Sequence, residues 1–125
     1  MTTSIKDLAP QSVWRNFYLL TQVPRPSGHL AAVQQFLLDW AAKRGIEAFK
    51  DNAENIVMRK PATPGMESRK TAVLQAHMDM VPQVAEGVTF DFLHDPIPVA
   101  VDGDWVHTNS QTTLGADDGM GIALA

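Results

Sequence analysis

The sequence contains no cysteine, so disulfide bonds and thiolate metal ligands are excluded, and any metal site must use His, Asp or Glu. No apolar run approaches the ~20 residues of a membrane-spanning helix, and the N-terminus lacks the basic and apolar regions of a secretion signal. Lys and Arg number 10 against 14 acidic residues, and the basic residues are scattered. We therefore expect a cytoplasmic protein that binds neither membranes nor nucleic acid.

The chain has the length of one domain, and its 45% apolar residues are enough to form a core. The apolar residues of "QSVWRNFYLLTQ", 11–22, recur at helical spacing and predict a first amphipathic helix. A second helix is predicted over residues 28–44, with Ser27 as its N-cap and Gly45 at its end.

Strand patterns follow the two helices. "NIVMRK", 55–60, predicts a strand, and the nearly continuous apolar run at 71–81 is typical of a central strand covered on both faces. Residues 97–101 and 104–108, joined at "DGD", predict a β-hairpin. The Gly-rich turn at 112–119 leads into a last helix. The sequence thus predicts an α/β fold, with helices packed on a mostly parallel central sheet and a β-hairpin.

His77 and Asp79 stand at the end of the apolar run. Residues i and i+2 of a strand point the same way, so these two side chains share one side while Met78 and Met80 face the other. Imidazole is the commonest metal ligand in proteins, and a neighbouring carboxylate is the usual group that orients it. The alternative is a strand end that carries two polar residues by chance.

Asp117 and Asp118 are adjacent carboxylates just after a Gly-rich turn. They repel each other unless a cation or the N-terminus of a helix stabilises them. The first option makes them metal ligands, and the second makes them caps of the last helix. Both interpretations remain open from these residues alone.

Other residues give weaker signals. The remaining histidines are interpreted as surface or capping residues: His29, His94 and His107. The tryptophans are interpreted as core aromatics: Trp14, Trp40 and Trp105. The sequence has no Gly-x-Ser-x-Gly motif and no EF-hand loop, so a serine hydrolase and a calcium-binding loop are disfavoured.

Several segments together resemble a known family. "LQAHMDMVP", "FDFLHDPI", "DGDWV" and "TTLGADDG" are similar to the aminoacyl-histidine dipeptidases, which belong to the co-catalytic zinc exopeptidases along with peptidase T and carboxypeptidase G. The resemblance extends upstream through "VPRPSGH" and covers nearly all 125 residues. It implies the fold of a zinc-exopeptidase catalytic domain and hydrolysis of Xaa-His dipeptides such as β-alanyl-histidine.

The resemblance also implies roles for four residues. His77 matches the first zinc ligand, and Asp79 matches the catalytic carboxylate that orients it. Asp117 matches the carboxylate that bridges two zinc ions, and Asp118 is a supporting residue. Other divalent metals are compatible with such ligands.

The family's general base belongs to a Glu-Glu pair downstream of the Ala-Asp-Asp turn, and only "GMGIALA" follows Asp118 here. We therefore expect residues 1–125 to be an N-terminal segment of the metallopeptidase catalytic domain, inactive alone. A homodimer of the intact enzyme is a separate expectation, and no motif of the sequence carries it. The alternative is a noncatalytic module that binds a partner or a single metal ion.

Overall fold

The computed structural model describes residues 3–125, which divide into two compact units. The first unit contains the residues up to Val33 together with Gln75–Ala125, and the second is Gln34–Leu74. The helices are a short 3-10 helix at Ile5–Asp7, α1 at Gln11–Thr21, α2 at Ala31–Lys43 and α3 at Ala116–Leu124. The strands are β1 at Glu47–Lys50, β2 at Ile56–Arg59, β3 at Ala100–Asp102 and β4 at Trp105–His107. None of the helices in the described range is long and apolar enough to cross a membrane.

The core of the first unit lies between α1 and α3. Ile5, Phe17 and Ala123 are buried at its centre, and the ring of Trp14 meets Phe17 edge-on, 6.1 Å between centroids. Asn16 ties the two helices together, because its side-chain amide donates to the carbonyl of Ala123 at 3.3 Å. Burial of this apolar face, rather than a side-chain cap, stabilises α1.

The predicted first helix is confirmed, and the second is confirmed with a later start. α2 begins at Ala31, so Ser27 lies four residues before it and the predicted N-cap is wrong. The hydroxyl of Ser27 instead donates to a carboxylate of the first unit, described below. Gly45 follows the end of α2 as predicted, with φ +66°, a conformation that favours glycine.

The second unit contains an antiparallel pair of strands that the sequence predicts only in part. β2 matches the predicted strand, whereas β1 was missed because "EAFK" has neither a branched residue nor a clear alternation. The loop between them is closed by Asp51, whose backbone N–H donates to the carbonyl of Asn55 at 2.9 Å. The segment at 61–70 is exposed, as its Pro and Gly content predicts.

The predicted β-hairpin is confirmed. β3 and β4 pair antiparallel, with Val101 opposite Val106, and Gly103 in the turn has φ +56°. The prediction that Trp105 is a core aromatic is wrong, because 74% of the residue is exposed. It is the first residue of β4 after the turn, where one side of the hairpin faces solvent. Trp14 and Trp40 are half-buried.

The mixture of helices and strands is as predicted, but the predicted parallel central sheet is wrong. Both sheets within residues 3–125 are antiparallel pairs, and 71–79 form no strand. The run makes a single parallel bridge, between Met80 and Pro26. Val73 and Leu74 are 86% and 72% exposed. An apolar pattern reports which residues favour burial but supplies no neighbouring strand, and without one a ladder cannot form.

Candidate metal centre

Two segments of the first unit bring the predicted site residues together. One is the end of the apolar run, 77–80, which is held by hydrogen bonds of Met80 to the backbone of Arg25 and of Ser27, 3.0 and 3.1 Å long. The other is the turn that opens α3, where Asp117 and Asp118 have non-helical backbone angles and are joined by a cis peptide bond. Both carboxylates face the first segment, where they contact His77.

The imidazole of His77 lies between two carboxylates. Its Nε2 atom is 2.9 Å from Oδ1 of Asp117, and its Nδ1 atom is 3.0 Å from Oδ1 of Asp79. Asp118 contacts the same residue through the backbone, because the N–H of His77 donates to its Oδ2 at 3.3 Å. Asp79, Asp117 and Asp118 therefore each contact His77 directly.

The carboxylates shift the pKa values of this group. The pKa of His77 is raised, first because Asp117 accepts a hydrogen bond from the imidazole, with Asp79 adding to the effect. The pKa of Asp79 is lowered, first because the hydroxyl of Ser27 donates to its Oδ2 at 2.5 Å, and also because of His77. Asp79 is thus held as a charged carboxylate that fixes Nδ1 of the imidazole.

The side chains are accessible from solvent. Half of the His77 side chain and nearly all of the Asp117 side chain are exposed, 51% and 96%. Met80, by contrast, is buried, as the predicted alternation of sides requires. The alternative of helix capping is disfavoured, since the N-cap of α3 is Gly115 and the hydrogen bonds found for both aspartates within residues 3–125 run to His77.

The donor set suits a metal ion, but it is small. One imidazole nitrogen and one carboxylate oxygen, from His77 and Asp117, are types that zinc binds. Within the part of the chain that the structure describes, no group of three or more His, Cys, Asp or Glu is arranged to hold a metal ion. A catalytic zinc normally takes about three protein ligands, so these two donors are a partial set.

Comparison with known proteins connects this arrangement to dipeptidases. The chain is 44% identical over 123 residues to the cytosol non-specific dipeptidase of Escherichia coli (strain K12). The matched region is 98% of this chain and 25% of that protein. It matches the crystal structure of aminoacylhistidine dipeptidase from Vibrio alginolyticus with a TM-score of 0.92 and 45% identity, over 97% of this chain and 24% of that one. The predicted resemblance to aminoacyl-histidine dipeptidases is confirmed. No family model matches the chain.

The chain spans about a quarter of the length of both dipeptidases. The match therefore concerns one part of such an enzyme, and it includes all four predicted site residues because it covers nearly the whole chain.

The other histidines lie where the sequence places them. His29 is exposed, His94 has Nδ1 2.7 Å from a carboxylate oxygen of Asp91, and His107 accepts a hydrogen bond from the backbone of Asn109 at 3.0 Å. They contact none of the four site residues in the hydrogen bonds of the described chain.

Sequence reasoning missed two residues that support the site, Arg25 and Ser27. Both belong to "PRPS", a polar pair set among prolines between α1 and α2. The sequence signal that could have identified this pair is Arg25 itself, since a charged side chain between two rigid prolines needs a specific partner if it is buried. Its partners lie some 50 and 90 positions further along the chain.

Proposed function

We propose that residues 1–125 form the N-terminal segment of the catalytic domain of a zinc-dependent dipeptidase that hydrolyses Xaa-His dipeptides. The observation that carries the proposal is the position of His77, with one ring nitrogen facing Asp79 and the other facing Asp117. A metal-binding histidine typically has its second ring nitrogen fixed by a carboxylate in this way. The similarity to two dipeptidases supports the hydrolysis of dipeptides, and the name of the Vibrio alginolyticus protein, aminoacylhistidine dipeptidase, supports Xaa-His substrates.

Each residue of the site has a proposed task. Asp79 accepts a hydrogen bond from the N–H of Nδ1 of His77, so that the lone pair of Nε2 is available to a metal ion. Asp117 presents an exposed carboxylate that would hold metal together with His77, and Asp118 keeps the backbone of His77 in place. When bound, zinc supplies Lewis acidity that polarises the scissile carbonyl and lowers the pKa of water. Another divalent ion with similar ligand preferences is an alternative.

The remaining ligands and the general base are proposed to come from outside residues 1–125. This follows from the partial donor set of the described residues and from the fourfold greater length of the dipeptidases that the chain matches. The chain alone is then inactive. Because the Escherichia coli relative is named for the cytosol, a cytoplasmic location is proposed as well. A homodimer of the intact enzyme stays a prediction.

A second function is favoured by the same partial donor set. Two ligands suffice for weak binding of a single metal ion, so a noncatalytic module that binds one ion or a partner protein is the alternative. It predicts that zinc binds with a stoichiometry of one and that no peptide bond is hydrolysed.

Hydrolysis of β-alanyl-histidine in the presence of zinc tests the proposal. The 125-residue chain, the longest reading frame that contains it, and His77→Ala in that longer protein are compared, with His94→Ala as the matched control. Activity in the long form, lost in His77→Ala and retained in His94→Ala, supports the dipeptidase. Absence of activity in both lengths overturns it, and activity of the short chain overturns the claim that the site is incomplete. A dipeptide without histidine measures the specificity.

A further inference from the structure

Arg25 is a buried arginine behind the candidate metal centre. It is 1% exposed, and its guanidinium group donates two hydrogen bonds to backbone carbonyls. Nη1 reaches the carbonyl of Met78 at 3.1 Å, and Nη2 reaches the carbonyl of Gly115 at 2.7 Å. Met78 lies between His77 and Asp79, and Gly115 lies two residues before Asp117. One side chain therefore bridges the two segments that carry the site.

Burying this group is costly, which indicates a specific role. Burial lowers the pKa of Arg25, while the charges of Asp79 and Asp118 oppose that effect. Nε has no hydrogen-bond partner within residues 3–125. The planar guanidinium offers two parallel donors at a fixed spacing, which the single ammonium of lysine does not reproduce.

Two glycines of the α3 turn leave room for the guanidinium. A Cβ atom at Gly115 would lie 2.6 Å from Nη2 of Arg25 and 2.8 Å from Sδ of Met80. A Cβ atom at Gly119 would also lie 2.6 Å from Nη2, and 3.0 Å from the ring of Phe17. The turn that presents Asp117 is thus packed directly on Arg25.

We propose that Arg25 is the positioning residue that holds the segment 77–80 and the aspartate turn, 115–118, in register, so that His77 and Asp117 face each other. The metal-binding consequence rests on the function proposed above. The positional role does not, because it concerns contacts between protein atoms. Without the bridge the two segments move apart, and the paired donors are no longer preorganised.

The test uses Arg25→Lys in the longest reading frame that contains the chain, with Arg15→Lys on the exposed face of α1 as the matched control. Hydrogen exchange of the zinc-free protein reports on three amides at the site: that of His77 donates to Asp118, that of Met80 to the carbonyl of Arg25, and that of Gly119 to the carbonyl of Gly115. We expect exchange at these amides to be at least ~10-fold faster in Arg25→Lys, with α2 unchanged. Titration with zinc is expected to show affinity weakened by ~10- to 100-fold.

Gly119→Ala provides a second route to the same contact, since it keeps the guanidinium but displaces Nη2. It decides the matter if Arg25→Lys does not fold. Unchanged exchange at the three amides in a folded variant overturns the proposal, and so does faster exchange spread equally over α1 and α2, which a general loss of stability produces. If the unmodified protein binds no zinc, the proposed function fails, while the exchange data still decide the role of Arg25.

Discussion

Ser27 donates its hydroxyl proton to Oδ2 of Asp79 at 2.5 Å, while the other carboxylate oxygen of Asp79 faces the imidazole of His77. A chain of contacts therefore runs from the loop between α1 and α2 to Nε2, the nitrogen that we assign to the metal. Ser27 restrains Asp79, and Asp79 restrains His77, so the loop contributes to the geometry of the site without contacting His77 itself.

Ser27→Ala should weaken zinc binding moderately. A hydrogen bond to a charged acceptor contributes about 1 kcal/mol when it is partly exposed, which corresponds to roughly fivefold in affinity. Isothermal titration of the zinc-free protein measures this change. Ser12→Ala, at an exposed position of α1, is the control and should bind as the unmodified protein does. Equal affinities for both variants would show that Asp79 is held without Ser27.

Asp117→Asn and Asp118→Asn should differ in their effects. Asp117 faces Nε2 of His77, so its neutral replacement removes the charge of the proposed ligand and should lower zinc affinity at least ~10-fold. Asn at 118 still offers an oxygen to the backbone N–H of His77, so the loss should be smaller. Zinc titration of the two variants side by side checks the order. A larger loss in Asp118→Asn would reverse our assignment of ligand and support.

Phe17→Ala should destabilise the first unit strongly. The ring is 1% exposed and lies in the core between α1 and α3, so its removal leaves a cavity. The free energy of unfolding should fall by about 3–5 kcal/mol. Leu19→Ala, on the same helix but 36% exposed, should cost about 1 kcal/mol or less. Urea denaturation compares the two, and similar losses would contradict the position of the core.

Asp51 should make the stability of the β1–β2 pair depend on pH. Its pKa is lowered from 3.8, first by the side chain of Asn55 and also by the backbone N–H groups of Asn55 and Ala53. The stabilisation is therefore complete above the ordinary pKa and is lost as the pH falls through the lower value of the folded state.

Thermal unfolding of Asp51→Asn should show this dependence. The variant should melt below the unmodified protein at about pH 6, and the difference should become smaller at about pH 2, as the pH falls towards the lowered pKa of Asp51. Asp104→Asn, in the exposed turn of the other hairpin, is the control and should change the melting temperature little at either pH. A constant difference between Asp51→Asn and the unmodified protein at both pH values would show that the carboxylate charge is unimportant.

The extent of sequence-based prediction differs between elements. The helical spacing around Phe17 identifies α1, and the turn at Gly103 identifies the β3–β4 hairpin, because both signals are local. The run at 71–81 misleads, since apolar character indicates burial while pairing depends on a neighbour that the pattern does not contain.

The site shows the same division. His77, Asp79 and Asp117 are predicted as site residues from their residue types and from the resemblance, and the structure brings them into contact. Arg25 and Ser27 are missed because their roles depend on tertiary contacts across about 50 positions or more. An arginine between prolines signals a buried partner, but nothing in the sequence says which carbonyls it meets.

The connection between the two site segments, residues 81–114, is closed by hydrogen bonds between its two ends. Thr113 donates through its hydroxyl to the carbonyl of Val81 at 2.5 Å and through its backbone N–H to Gln83 at 2.9 Å, and the N–H of Ala85 donates to the carbonyl of Gln111 at 2.8 Å. Doubling the length of a loop with fixed ends costs only about 0.6 kcal/mol. The exposed turn after Asp102 is therefore a suitable place to insert an epitope tag or a reporter peptide without displacing His77 from Asp117.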